Sequence, residues 1–402
     1  MGPVTGVVAS AEVSQLLDEL TRMTGREDPY PRYARLREIS PVLRADDGAL
    51  VVTRYAECAA LVRDPRLGHI PADALAFIGL ADWADHPALR MLFTSMLTIN
   101  PPDHTRLRRL VSSTFTARRV QALRPAIEEM VDGLLDRMDG SVDFVQAFAF
   151  PLPVNVIGEL LGVPEPDRAQ FQTLVRDWTQ IIEYTTFDVL KAADPAAATI
   201  RDYLAGLVAE RRRAPQEDLI SALVAAEEQG DKLTEDELLT MAALLFAAGF
   251  ETTTNLLANS IVALTRNPDQ LPLIGAPNAI EELLRFDSPV QIVSRLVFDD
   301  IELGGLPIEA GERVVAYLGA GNHDPERFAE PERLRLDRTN VAPLSFGGGI
   351  HYCLGAPLAR LEAQVALPKL VARFPRLALD GPPVRRDSLS IRGYTSVPVV
   401  AG

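Results

Sequence analysis

Cysteine is scarce in this sequence, with only Cys58 and Cys353 among 402 residues. Two cysteines cannot build a disulfide framework, which excludes the small secreted scaffolds that depend on one and fits a reducing cytoplasm. Basic residues are also in deficit, 40 against 55 acidic ones, and the net charge of −15 argues against a nucleic-acid-binding protein. The share of hydrophobic residues, 47%, is typical of a globular protein with a core.

Long hydrophobic runs are missing as well. No apolar stretch reaches the roughly 18 residues that a membrane-spanning helix needs. The segment from Met1 to Ser14 has no charged region followed by an apolar core, so we expect no signal peptide. The composition therefore predicts a cytoplasmic protein that binds neither a membrane nor nucleic acid.

The most unusual stretch runs from Phe346 to Gly355 and reads FGGGIHYCLG. Three consecutive glycines are typical of a loop, because glycine adopts backbone angles that other residues avoid. The following residues, Ala356 to Ala363, predict a helix with Pro357 in its first turn. Cys353 thus precedes a helix N-terminus, where free amides favour the thiolate, the form that binds metals. The alternative is a buried structural cysteine beside a glycine turn.

The spacing of the whole stretch favours the metal ligand. The pattern F-G-x-G-x-H-x-C-x-G resembles the haem-binding loop of the cytochrome P450 family. The resemblance implies that Cys353 is the iron ligand of haem b (iron protoporphyrin IX), and that the cofactor is bound by Phe346, Gly347, His351 and Gly355. It also implies a mainly α fold with small β-sheets (α+β), with haem between a long kinked helix and the cysteine loop.

The longest helical pattern begins with the capping residues Thr234 to Glu237 and continues to about Leu264. Gly249 in its interior costs roughly 1 kcal/mol relative to alanine. A tight helix crossing would account for the glycine, but not for Glu251 next to Thr252 in an apolar stretch.

The segment AGFETT in that helix resembles the oxygen-activating segment of the family. The resemblance implies that Glu251 and Thr252 are the catalytic acid and alcohol that supply protons for the reduction of dioxygen. Ala248 and Gly249 would then lie beside the haem.

His104 and Arg108 are four residues apart and share a face near the start of another predicted helix. Two cationic donors at a helix start are electrostatically unfavourable, and they suit a carboxylate partner. The sequence resembles the family's haem-propionate helix, which implies that both residues bind propionates. Arg295 matches a second propionate donor.

Glu282 and Arg285 are three residues apart on one helix, a spacing that is commonplace at protein surfaces. Their position upstream of the cysteine loop resembles the family's buried Glu–Arg pair. The resemblance implies a structural trio with Arg333 as its third member.

An irregular apolar stretch from Gly68 to Met96 resembles the segment that covers the family's substrate pocket. Ordinary packing is the alternative for many of its residues. The resemblance implies a last hairpin with Tyr394 and Thr395 at its tip. Together these segments give the pocket candidates Phe77, Ile78, Trp83, Ile182, Val290, Ile292, Val293, Tyr394 and Thr395.

The resemblance covers essentially the whole chain and implies one domain, residues 1–402, acting as a monomer. The implied enzyme is a monooxygenase that hydroxylates or epoxidises an apolar or mixed-polarity small molecule with O2, in bacterial secondary-metabolite or antibiotic biosynthesis. Electrons would come from a separate ferredoxin and ferredoxin reductase, which would dock at Arg106, Arg109 and Arg360.

Two alternatives remain. The same haem fold also supports aryl coupling, nitration or the use of peroxide. A haem- or ligand-binding protein without catalysis is the other, although it would not require an acid and an alcohol in the long helix.

Overall fold

The computed structural model describes residues 9–183, 185–228 and 231–401, and helices dominate it. The α-helices are α1 (Ala11–Thr21), α2 (Met23–Glu27), α3 (Tyr30–Ile39), α4 (Tyr55–Leu61), α5 (Pro87–Phe93), α6 (Asp103–Thr114), α7 (Ala117–Ala122), α8 (Arg124–Leu135), α9 (Pro151–Leu161), α10 (Glu165–Arg168), α11 (Phe171–Glu183), α12 (Phe187–Arg213), α13 (Leu219–Ala225), α14 (Glu235–Arg266), α15 (Ala279–Phe286), α16 (Leu318–Gly321) and α17 (Ala356–Arg373). One π-helical turn spans Val145–Ala149, and short 3-10 helices span Ala72–Ile78, Trp83–Asp85, Pro268–Leu273 and Gly349–His351.

The strands are short and form small sheets. They are β1 (Leu43–Arg44), β2 (Leu50–Val52), β3 (Leu67–Gly68), β4 (Gly140–Asp143), β5 (Glu227–Glu228), β6 (Asp231–Lys232), β7 (Ile292–Val297), β8 (Ile301–Leu303), β9 (Leu306–Ile308), β10 (Arg313–Tyr317), β11 (Ala378–Leu379), β12 (Val384–Arg385), β13 (Tyr394–Ser396) and β14 (Pro398–Ala401). The largest sheet has the order β1-β2-β10-β7-β3, and a second has the order β11-β14-β4. Strands β1 and β2 pair antiparallel, and the turn between them contains Gly48, as is typical of a hairpin.

Local signals explain where the two central helices begin. Thr234 and Glu237 form a reciprocal capping box at the start of α14, with acids in its first turn. Pro357 lies in the first turn of α17, directly after the cysteine loop, as the sequence predicts.

Helix α14 owes its apolar composition to its place in the core. Its length and hydropathy alone would let it cross a membrane, contrary to the expectation that no apolar stretch is long enough. However, 83% of its most apolar part is buried against other elements of the fold. Packing around a central helix therefore explains the hydropathy.

The predicted structural trio is corrected in its third member. Glu282 and Arg285 are fully buried, and their side chains are joined by two hydrogen bonds of 2.7 and 2.8 Å. The third side chain is that of Arg338, whose Nε lies 3.2 Å from Glu282 Oε2. Arg333 instead pairs with Glu330 at the surface and offers Arg285 only its carbonyl oxygen.

Candidate active site

The cysteine loop is held in shape by its own backbone and by its neighbours. The Cys353 amide donates to the Phe346 carbonyl at 3.0 Å. Arg360 lies 4.4 Å above the centroid of the Phe346 ring, and its Nη1 is 3.1 Å from the Tyr352 hydroxyl. These contacts fix the cysteine at the start of α17.

The three glycines of the loop serve different purposes. Gly347 and Gly349 have φ of +67° and +61°, which side chains disfavour. A Cβ on Gly348 would lie 2.8 Å from Val62 Cγ2, and one on Gly349 would lie 2.7 Å from the Val62 carbonyl oxygen. Gly348 and Gly349 therefore allow the residues at the end of α4 to approach closely. Among the three, only Gly347 has open space where a Cβ would be.

The Cys353 side chain is exposed although it belongs to the interior of the fold. Burial of its surroundings raises the pKa of the Cys353 thiol, while the Gly355 and Ala356 amides and Arg108 act to lower it. The predicted helix-terminus amides are present, but burial outweighs them. A bound metal ion deprotonates a thiol outright, so the thiolate form at this position belongs to a metal complex.

Three of the five histidines in the chain form a cluster near this loop. The ring of His351 is centred 4.2 Å from that of His104 and 4.5 Å from that of His69. Burial, together with the charge of Arg295, lowers the pKa of His69 to about 2. Burial also lowers the pKa of His351 to about 3, so these imidazoles are neutral at physiological pH.

The polar atoms of this cluster lack partners among the described residues. Both ring nitrogens of His104 and the Nε2 atoms of His69 and His351 are buried without a hydrogen bond. Arg295 donates to the carbonyl of its neighbour Ser294, and Arg108 to that of Tyr352. Neither guanidinium has a described ion pair. Buried donors without acceptors are costly, so the cluster is complete only with an anionic group bound to it.

Helix α14 is exposed at one place within its buried stretch. Between Leu238 and Leu264, every residue is buried except Ala248, Gly249 and Thr252. The helix is uninterrupted through this segment, and the Thr252 hydroxyl donates to the Ala248 carbonyl at 3.1 Å.

The helix crossing by itself accounts for a glycine at position 249. A Cβ at this position would lie 2.7 Å from Cγ1 of Ile157, which belongs to α9. No described hydrogen bond joins the predicted acid and alcohol, since the Glu251 carboxylate forms an ion pair with Arg386 and the Thr252 hydroxyl donates to Ala248.

The apolar pocket candidates fall into separate groups. Phe77 and Ile78 are 92% and 57% exposed, and Ile182 of α11 is 41% exposed, which is typical of an outer surface. Trp83 packs against the main core, with its ring 6.3 Å from that of Phe93.

The strand candidates are also divided. Successive residues of a strand point to opposite faces, so Ile292 and Val293 cannot both face one pocket. Ile292 packs against the N-terminal core cluster, whereas Val293 shares the face of Arg295 and packs against a second core cluster. Val290 forms an isolated bridge with Ile391.

The predicted tip of the last hairpin is wrong. Tyr394 and Thr395 lie in β13, which pairs with β12, so the tip is the loop from Arg386 to Gly393. Tyr394 is buried beneath Arg385 and lines a cavity of 470 Å³ at the C-terminal end of α14. That cavity also contacts Val262, ten residues and about 15 Å along the helix from Thr252.

Sequence reasoning missed several contributors. His69 and Arg386 lie in no motif, and Arg338 was passed over in favour of Arg333. The scarcity of histidine was the available signal for His69, since three of five such residues converge on one place.

Comparison with known proteins establishes the family. The cytochrome P450 family model matches residues 83–272 and 270–388. The chain is 42% identical to the cytochrome P450 monooxygenase PikC of Streptomyces venezuelae over 390 residues, covering 92% of this chain and 91% of that protein. It is 39% identical to the 6-deoxyerythronolide B hydroxylase of Saccharopolyspora erythraea, covering 92% and 96% of the two chains.

Solved structures show the same fold. The cytochrome P450 PksS of the Bacillus subtilis 168 bacillaene polyketide synthase matches with a TM-score of 0.85 and 35% identity, covering 95% of this chain and 99% of that one. The chain therefore belongs to the cytochrome P450 family and is a monooxygenase with the mainly α fold that the sequence predicts.

Membership of this family implies a haem cofactor, and the described residues fit it. The unpartnered nitrogens of His69, His104 and His351 suit propionate carboxylates, together with Arg108 and Arg295. Cys353 offers a sulfur atom to the iron. A thiolate-ligated haem, when bound, supplies the chemistry that cleaves the O–O bond of dioxygen.

Proposed function

We propose that the chain is a single-domain, monomeric and cytoplasmic haem b monooxygenase that adds one oxygen atom to a polyketide-like secondary metabolite. The observation that carries the proposal is the exposed Cys353 sulfur beside a cluster of imidazoles whose buried nitrogens have no described hydrogen bond, together with two guanidiniums that have no described ion pair. Relatives that hydroxylate 6-deoxyerythronolide B or belong to a polyketide synthase support the substrate class. The Val293 side chain, on the face of Arg295, is the proposed contact to the substrate from β7.

The chain's residues divide the work in this proposal. His69, His104, His351, Arg108 and Arg295 bind and orient the propionates. Ala248 leaves room on α14 for dioxygen and substrate. Thr252 and Glu251 exchange the protons that the reduction of dioxygen consumes. The overall reaction takes the substrate, O2, two electrons and two protons to the hydroxylated product and water.

The first test is the absorption spectrum of the dithionite-reduced protein under carbon monoxide. We expect the strongly red-shifted Soret band of a thiolate-ligated haem in the wild type and in Cys58→Ala, whose cysteine is buried in the core. The Cys353→Ala variant should lose the band. A band that survives this change, or a protein that binds no haem under any condition, would overturn the proposal.

The substrate class needs a separate experiment. Titration of the ferric protein with 6-deoxyerythronolide B should displace water from the iron and shift the Soret band, and turnover should yield a product heavier by one oxygen atom. A fatty acid of similar mass is the control. A larger shift and faster turnover with the fatty acid would contradict the polyketide assignment.

Electron delivery by a ferredoxin and its reductase is the third part of the proposal, and the expected docking residues are revised. Arg106 is paired with Glu237 and Arg360 with Glu281, and Arg109 Nη2 lies 3.8 Å from Asp231. Their charges are neutralised within the chain.

A different arginine is available over the cysteine loop. A Cβ added to Gly348 would lie 3.0 Å from Arg63 Cγ, so the two residues are neighbours. The Arg63 side chain is exposed, and its described hydrogen bond goes to the Ala59 carbonyl of α4. Ile350 and Tyr352 are exposed beside it, at 45% and 39%. An acidic ferredoxin suits this combination of an apolar centre and free positive charge.

Charge reversal tests the docking face. We expect Arg63→Glu to slow the first electron transfer from ferredoxin several-fold at low salt, with the difference shrinking as salt screens the charges. Arg266→Glu, a change of an exposed arginine at the end of α14, is the control. Equal rates for the two variants would exclude this face as the docking site.

A further inference from the structure

Helix α14 carries a polar stripe directly after the oxygen-activating segment. Glu251, Asn255 and Asn259 are spaced by four residues and therefore lie along one side of the helix. All three are buried, among threonines and apolar residues of the same helix. Buried polar side chains are costly unless they are paired, so their partners define what this side of the helix is for.

The partners come from the loop between β12 and β13 and from its two ends. The Arg386 guanidinium forms an ion pair with Glu251. Arg385 Nη1 donates to Asn259 Oδ1 at 3.3 Å, and Asn259 Nδ2 donates to the Arg392 carbonyl at 3.2 Å. The stripe is thus the docking surface for the loop 386–393.

The loop approaches α14 so closely that only glycine fits at the crossing. A Cβ on Gly393 would lie 1.8 Å from Asn255 Oδ1, far inside van der Waals contact. Asn255 itself is fixed, because its Nδ2 donates to the Glu251 carbonyl at 2.8 Å. The backbone of the loop and the helix segment that carries Glu251 are therefore held in one arrangement.

The two neighbouring arginines of the loop have different partners. Arg385 is bound to Asp287, at 3.1 Å, and to Asn259, and so ties the loop to the scaffold. The only described side-chain partner of Arg386 is Glu251, whose carboxylate precedes Thr252 in the chain. Arg386 thus directs its positive charge at the proposed proton-transferring acid. We infer that it does more than anchor the loop.

We propose that Arg386 is a positioning residue for the oxygenation reaction: it holds the Glu251 carboxylate in place and makes the C-terminal loop part of the proton-delivery apparatus. This inference rests on the proposed role of Glu251. Without the guanidinium, the carboxylate loses its fixed position beside Thr252. Dioxygen then takes two electrons and two protons and leaves as hydrogen peroxide, instead of giving product and water.

The test measures product and peroxide formed per NADPH oxidised through ferredoxin reductase and ferredoxin. We expect Arg386→Ala to lower the product yield several-fold and raise peroxide correspondingly, and Arg386→Lys to restore much of the yield. Arg385→Ala, which loosens the same loop but keeps the Arg386–Glu251 ion pair, is the matched comparison and should lower the yield per NADPH clearly less than Arg386→Ala. Equal losses in both alanine variants would mean that loop anchoring alone matters, and would overturn the proposal.

A double-mutant comparison separates this inference from the function beneath it. Because Arg386 acts through Glu251, the variant Glu251→Gln/Arg386→Ala should be no worse than Glu251→Gln alone. If the double variant instead loses yield by the product of the two single losses, the proposal is refuted. If Glu251→Gln leaves the yield intact, the proposed role of Glu251 fails and the role of Arg386 fails with it. If Glu251→Gln lowers the yield but Arg386→Ala does not, only the inference about Arg386 fails.

Hydrogen exchange gives a readout that is independent of turnover. We expect faster amide exchange across residues 386–393 in both Arg386→Ala and Glu251→Gln, because each removes one half of the ion pair that secures the loop. Unchanged exchange in both variants would show that the pair does not secure it, and would contradict the proposal.

Discussion

His69 contributes an imidazole to the proposed propionate site from the end of β3, where no motif marks it. Its amide donates to Asn100 Oδ1 at 2.8 Å, and Asn100 Nδ2 returns a hydrogen bond to the His69 carbonyl at the same distance. This exchange fixes the backbone and directs the ring to His351. A histidine held so firmly by its main chain has its side chain free for a ligand.

Replacement of His69 by phenylalanine should weaken cofactor retention. The ring volume is kept while the N–H donor is lost, and a hydrogen bond to a charged group contributes about 1.5–3 kcal/mol. We expect haem to leave the variant at least about tenfold faster, as measured by transfer to apomyoglobin. The control is His86→Phe, which changes a histidine that pairs with Asp194 outside the cluster. Equal release rates for the two variants would exclude His69 from the site.

Arg333 and Arg338 are two arginines of one irregular segment with different partners. Both lie in the irregular stretch before the cysteine loop, and nothing in the local pattern tells which one reaches Glu282. Arg338 reaches it because its backbone turns the side chain inward, where it also donates to the Ala329 carbonyl at 2.8 Å. The local sequence therefore does not predict which arginine of an irregular segment contacts Glu282, because that contact depends on how the backbone folds.

At the level of elements, the crossing of α14 with α9 determines which substitutions of Gly249 the fold tolerates. A Cβ would meet the Ile157 side chain at 2.7 Å, so alanine overpacks the crossing. The strain of overpacking, about 1–3 kcal/mol, exceeds the gain of roughly 1 kcal/mol in helix propensity.

We expect Gly249→Ala to lower the free energy of unfolding, and Ile157→Ala in the same chain to relieve part of the loss. Urea denaturation of the single and double variants measures the coupling. Gly206→Ala, in α12, has open space for its Cβ and should be neutral or stabilising. A stabilising Gly249→Ala would mean that the crossing is looser than described.

Elements with local signals could be predicted from the sequence. The capping box at Thr234, the proline at the start of α17 and the turn at Gly48 each place an element where the structure has it. The cysteine motif and the acid–alcohol pair were likewise visible, because their spacing is local. The loop 386–393 was misplaced by several residues, because short strands owe their bounds to pairing with distant segments.

The molecule as a whole should lose stability in mild acid, partly through His323. Its ring is buried, stacks 4.0 Å from that of Tyr30, and Nε2 lies 2.8 Å from the Phe286 carbonyl oxygen. Burial lowers the pKa of His323 to about 3, with Arg285 and Arg37 acting in the same direction and Asp287 against it. The pKa in the unfolded chain is about 6.5.

The direction of the pH effect follows from proton uptake. Between about pH 6.5 and about pH 3 the unfolded state binds one more proton at this site than the folded state. Stability is therefore lost as the pH falls through this range, by about 1.4 kcal/mol per pH unit once the unfolded histidine is charged. His69 and His351 add to the loss in haem-free protein.

We expect His323→Phe to reduce this dependence. Urea denaturation at about pH 7.5 and about pH 5.5 should show a drop in unfolding free energy that is smaller by about 1 kcal/mol in the variant. The variant is less stable at both pH values, because the Phe286 carbonyl loses its hydrogen-bond donor. The quantity to compare is therefore the change in unfolding free energy between the two pH values in each protein. An identical drop in both proteins would show that His323 already binds a proton in the folded state.

The packing of the cysteine loop against α4 has a consequence for how the protein is made. Val62 and Arg63, which lie against Gly348 and Gly349, leave the ribosome long before Cys353 does. The growing chain thus contains His69 and His104, the proposed propionate-binding residues, long before it contains Cys353, the proposed iron ligand. On this proposal, a nascent chain shorter than 353 residues cannot bind the cofactor through its iron.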